Sequence, residues 1–114
     1  MQQIARVIPI KSKEALVELA EAAMQRPRAE REAFFSLFGP GTTEHWHYQE
    51  IDGKPYVLAV ASGENLMAGF DAYERLDDAY FEWFSAEVLK LAGVDLRTNP
   101  LAAPSELVAE VNGR

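Results

Sequence analysis

The hydrophobic positions of the chain alternate between two spacings, and the switches divide it into elements. Ile4 to Ile10, I-A-R-V-I-P-I, is short and rich in β-branched residues, which predicts a strand. Pro9 has no amide hydrogen, so it belongs at an edge or at the strand's end. Ser12 can cap a helix, and from Lys13 onward Ala15, Leu16, Leu19, Ala20, Ala23 and Met24 recur at spacings of three and four. Pro27 cannot continue that helix but suits the first turn of another, so a break is predicted near Arg26 and a second helical piece to about Leu37. Gly39-Pro40-Gly41 ends it. Thr42 to Ile51 alternates again and predicts a strand, Asp52-Gly53 a tight hairpin turn, and Tyr56 to Ala61 the returning strand. After Gly63 the chain is only weakly helical to Tyr73. Asp77 or Asp78 then caps a strong helix with Tyr80, Phe81, Phe84, Val88 and Leu91 on one stripe, ending at Ala92 with Gly93 at C′. Val94 to Leu96 reads as a brief fourth strand. Beyond Asn99-Pro100 and Pro104, Leu107 to Val111 fits either a strand or a helical turn.

The predicted order is β-α-β-β-α-β with a tail: an α+β, ferredoxin-like fold with an antiparallel sheet and both helices on one face, formed by a single domain over residues 1–114. Two helices cover one sheet face, so a monomer should be polar on the other. The third strand is apolar on both, with Tyr56, Leu58 and Val60 on one side and Val57, Ala59 and Ala61 on the other. The first strand behaves alike, with Ile4, Ile8 and Ile10 against Ala5 and Val7. Covering several hundred Å² at ~25 cal/mol per Å² contributes roughly 10 kcal/mol before association costs. A homodimer with sheets facing each other is therefore expected, the alternative being a monomer whose loops and tail roof that face.

Composition narrows the function classes. A net charge of −7 argues against nucleic acid as a partner, because Arg26, Arg28 and Arg31, the densest basic cluster, are interrupted by Glu30 and Glu32. No apolar run reaches the ~20 residues of a membrane span, and the first ten residues lack the pattern of a signal peptide. The absence of cysteine removes disulfides, thiolate nucleophiles and thiolate metal sites; a cytoplasmic location is the expectation.

The hairpin E-H-W-H-Y-Q-E-I-D-G-K-P-Y-V-L-A-V-A, the segment F-E-W-F-S-A-E-V-L-K-L-A-G-V-D-L and the late P-S-E-L-V resemble a bacterial family with the dimeric α/β-barrel fold, over roughly Ile4 to Val111. Its superfamily also holds antibiotic-biosynthesis-type monooxygenases, haem-degrading enzymes and stress-responsive barrel proteins. The resemblance implies the fold and the dimer. It also implies a candidate chemistry, cofactor-independent oxygenation of a small aromatic molecule. The haem-binding constellation of that superfamily has no counterpart here, and no cofactor is expected.

Candidate ligand-binding residues are Arg6, His45, Trp46, His47 and Tyr48. Strand parity puts His45, His47 and Gln49 on one face and Glu44, Trp46, Tyr48 and Glu50 on the other. Two histidines in H-x-H spacing lack the third ligand that zinc requires, so no metal is expected, and a half-buried pair or an acid–base role stands instead. Trp46, Tyr48, Tyr56, Phe70, Tyr73 and Trp83 fit either a core or a pocket wall. Arg6, a charge within an apolar strand, needs an ion pair with Glu44 or Glu50, or else an anionic ligand. Gly39-Pro40-Gly41 is too short for a phosphate loop, and no G-x-S-x-G occurs. The function expected is a small-molecule-binding homodimer, with a monooxygenase and a purely structural or protein-interaction dimer as the alternatives. Whether the chain is an enzyme stays open at this point.

Overall fold

A computed structural model describes residues 1–98 and 105–114. Strand β1 (Gln2–Pro9) leads through helices α1 (Lys13–Gln25) and α2 (Arg28–Phe35) to the hairpin β2 (Thr43–Ile51) and β3 (Lys54–Gly63); α3 (Leu66–Asp71) and α4 (Ala79–Ala92) follow. Short 3-10 turns at Ser36–Phe38 and Tyr73–Arg75 close α2 and α3.

Local chemistry sets these boundaries. Ser12 Oγ accepts from the Ala15 amide at 3.1 Å, and Asp78 Oδ2 accepts from that of Phe81 at 2.8 Å, so each helix has one free first-turn donor satisfied. Arg26 is extended (φ −64°, ψ 149°) ahead of Pro27, and the break is held by Arg31, whose Nη1 donates to the carbonyls of Met24 and Arg26. Asp52 and Gly53 both have positive φ, 52° and 76°, as a two-residue type I′ hairpin turn requires.

The sheet has three strands in the order β1-β3-β2, both neighbours antiparallel to β3. This is compatible with a ferredoxin-like arrangement of β1, β2 and β3. The predicted fourth strand does not form: Val94 to Leu96 is irregular. Asp95 Oδ1 accepts from the Arg97 amide at 3.0 Å, a local bond that competes with a ladder, and Leu96, 2 % exposed, buries itself in the core instead. Residues 105–114 form neither the strand nor the helical turn expected of Leu107 to Val111, and they are exposed throughout. The predicted breaks at Asn99-Pro100 and Pro104 lie outside the described residues.

Helices α1, α2, α3 and α4 lie against one sheet face. Ile4 and Ala61 join Phe34, Phe38, Leu66, Tyr73, Tyr80 and Phe81 in one cluster; Ile10 and Val57 join Leu16, Leu19 and Leu91 in another. The opposite face carries Ala5, Val7, His45, His47 and Gln49, all exposed, with Tyr56, Leu58 and Val60 half-buried. Among the described residues, no helix is long and apolar enough to cross a membrane.

Candidate functional site

Between the helix-facing side of the sheet and the helices lies a cavity of about 80 Å³. The strand register accounts for it. Across β3, Ala61 is flanked by Ile4 and Glu44, and Ala59 by Arg6 and Trp46. Alanines on the central strand therefore sit where larger side chains would meet the helices, and a void remains between longer neighbours. Leu16 and Leu19 of α1, and Phe84, Val88 and Leu91 of α4, close the far side. The wall is apolar apart from Arg6, Glu44, Tyr73 and the indole of Trp46.

Arg6 is the unusual group. Its guanidinium lies 4.3 Å from the centre of the Phe70 ring, a cation–π contact, while its buried Nε has no hydrogen-bond partner among the described residues. Desolvation lowers its pKa, opposed by Tyr73 and Glu44, but an arginine stays charged at neutral pH. The ion pair anticipated with Glu44 or Glu50 is not formed among the described residues. A cation therefore faces an apolar cavity with a donor left over.

Glu44 keeps much of its surface open to solvent at the cavity rim. Its carboxylate accepts from Trp46 Nε1, and the dense surroundings push its pKa up, while the indole and Arg6 pull it down. Burial pushes the Tyr73 phenol well above its ordinary value, with Glu44 adding to the rise, so Tyr73 is a donor rather than a base. Burial likewise takes Tyr80 up to about 12. The indole of Trp46 stacks on Phe84 at 5.9 Å, which fixes it as a wall.

Of the residues singled out by sequence, Arg6 and Trp46 meet at this cavity. Tyr48 shares their sheet face but lies beyond the cavity, its ring 5.7 Å from the Lys13 ammonium. His45 and His47 are on the opposite, open face, their ring centres 6.4 Å apart. Among the described residues, no group of three side chains suited to a metal includes them. Of the other aromatics considered, Phe70 and Tyr73 line the cavity, whereas Tyr56 points to the open face. Glu44 was legible only as a partner for Arg6; its role at the rim follows from its parity with Trp46 and from Ala59 and Ala61 opposite.

No family model matches the chain, and no curated protein or solved structure is found similar to it. The functional reading therefore rests on the geometry of the cavity and of the open face.

Proposed function

We propose that the chain binds a small, mostly apolar molecule carrying one anionic or strongly accepting group, and that it does so as a homodimer with a ferredoxin-like fold. The unpartnered Nε of Arg6, set in an apolar cavity, is the observation that carries the ligand. A carboxylate there would satisfy Nε, neutralise the half-buried cation and leave its hydrocarbon part against Leu16, Phe84 and Val88. The enclosed space is small, about 80 Å³ where an apolar cavity of about 150 Å³ holds benzene, so it takes a carboxylate with a short tail, and a ring as large as that of benzoate or a quinol extends into the open rim beside Glu44.

The test uses butyrate and benzoate beside their amides, followed through the indole N–H resonance of Trp46. The carboxylates are expected to bind about tenfold or more tightly than the amides, a difference lost in Arg6→Met. Equal binding of acid and amide, or an indole resonance that none of the probes moves, overturns the reading.

The dimer rests on the open sheet face, where Val7 is 61 % exposed beside Ala5, Leu58 and Val60. Such a patch is what a second copy would cover. Sedimentation should give twice the 12.7 kDa of one chain. The substitution Val7→Asp should give single chains, and a single chain throughout at ~100 µM removes the dimer.

The raised pKa of Glu44 at the rim supports the second reading, cofactor-independent oxygenation of a small aromatic. Glu44 would take the hydroxyl proton of a quinol while Arg6 holds the resulting oxyanion. Oxygen uptake with simple quinols, lost in Glu44→Gln, separates it from binding alone.

A further inference from the structure

We propose that residues 105–114 of each copy form an arm that packs on a second copy of the chain, laying Leu107 and Val111, which share a face of an extended segment, against that copy's open sheet face around Val7. The inference rests on the homodimer proposed above and names the segment that secures it.

The large apolar side chains of the arm find no cover within their own chain. Leu107, Val108 and Val111 are 83 %, 89 % and 91 % exposed, which exceeds every other large hydrophobic of the described chain except Met1. Scattered exposed apolar residues are ordinary, but three within five positions of a segment without helix or strand call for a partner.

Its origin is fixed in the right place. The Ala5 amide, on the outer edge of β1, donates to Ser105 Oγ at 2.8 Å. Among the described residues, no other hydrogen bond ties the segment to the body. The arm thus leaves at an edge strand, next to the open face that holds Ala5 and Val7. From Ser105 to Val111 an extended chain reaches roughly 20 Å at ~3.3 Å per residue, enough to cross a sheet of three strands spaced ~4.8 Å apart.

The area balance selects a second copy as the occupant. Three strands of eight to ten residues span a face of roughly 14 by 26 Å, a modest platform for an interface that buries ~800 Å² of accessible surface per partner. A pair of arms exchanged about a twofold axis adds apolar area from each copy to that of the facing sheets.

The chain has no cysteine, so introduced cysteines form the only disulfides. A chain carrying Val7→Cys is mixed with a differently tagged chain carrying Leu107→Cys and mildly oxidised; both sites are exposed, so neither change disturbs the core. The expected product is a disulfide between the two tagged chains. If that product is missing, or if a chain bearing both cysteines closes only on itself, the arm belongs to its own body and the proposal fails. Deleting residues 105–114 removes no buried residue and should weaken dimerisation by about a hundredfold or more. An unchanged dimer Kd overturns the arm while leaving the sheet-to-sheet dimer in place; a full-length chain that never dimerises overturns both.

Discussion

Replacing Arg6 by methionine should make the unliganded protein more stable while removing its affinity for carboxylates. Three effects compete. Removing a buried donor that has no partner relieves a penalty of about 1–3 kcal/mol. Losing the guanidinium 4.3 Å above Phe70 costs about 0.5–2 kcal/mol, of which a methionine sulfur at the same ring restores about 0.3–1.5 kcal/mol. Losing the attraction to Glu44 costs no more than about 1 kcal/mol, because no ion pair is formed and Glu44 remains open to solvent. Methionine also keeps most of the arginine stem's volume against the cavity wall. The balance favours Arg6→Met by about 1 kcal/mol, or about 4 °C in Tm for a domain of this size.

Urea unfolding at pH 7, at matched protein concentration so that association does not distort the comparison, reads the difference. Arg6→Ala is the control: it relieves the same donor but empties the space of the stem, and should lose about 2 kcal/mol relative to Arg6→Met. Saturating the native protein with benzoate should close the gap to Arg6→Met, since the ligand then satisfies Nε. If Arg6→Met is less stable than the native chain by more than about 1 kcal/mol, Arg6 is a structural group with partners of its own. The ligand argument then loses its basis.

Three further outcomes test the framework. In Gly69→Ala the new Cβ would lie 2.2 Å from Phe38 Cδ1 and 2.4 Å from Cε1, and that ring is pinned among Phe34, Phe70 and Tyr73. Thermal unfolding should show a loss of about 3 kcal/mol, partly restored by adding Phe38→Leu. Asp78→Ala removes the cap of α4 and should cost about 1 kcal/mol in urea unfolding, with little loss for Asp78→Ser. Glu44 has a folded pKa above its unfolded one, so its favourable contribution is complete below about pH 4 and is lost as pH rises through the folded value. Tm should therefore fall across that window in the native chain relative to Glu44→Gln; superimposable profiles would show that folding leaves the titration of Glu44 unchanged.

The elements that were legible in the sequence are those with strong local chemistry. Ser12, Asp78, Pro27 and Asp52-Gly53 each act within a few residues of themselves, and each sits where the pattern placed it. The parity of β2 was legible for the same reason: alternation alone separates Glu44, Trp46 and Tyr48 from His45 and His47, and the register agrees. The fourth strand was misread because three residues carry too little pattern to outweigh one local bond from Asp95 and the burial of Leu96. The cavity could not be read from any one segment. It arises from which residues stand beside Ala59 and Ala61 across two ladders, and the meeting of Arg6 with Trp46 depends on β1, distant in the chain, pairing with the far side of β3 from β2. The histidines drew notice for their chemistry, yet what decides their setting is the face they occupy.

The two proposed roles meet on one strand without sharing a side chain. In β1, Ile4, Arg6 and Ile8 turn to the helices and the cavity, while Ala5 and Val7 turn to the open face. A substitution at Val7 can therefore remove association and leave the Arg6 side chain in place, and Arg6→Met can remove the ligand without touching the second face. Among the described residues, the arm meets the body at the outer edge of β1, where Ala5 holds Ser105, and from there it could influence both. If losing residues 105–114 weakens benzoate binding as well as dimerisation, strand β1 transmits the change, since no residue of 105–114 lines the cavity. Unchanged benzoate affinity in the truncated single chain would instead make the two faces independent, with the sheet acting only as the wall between them.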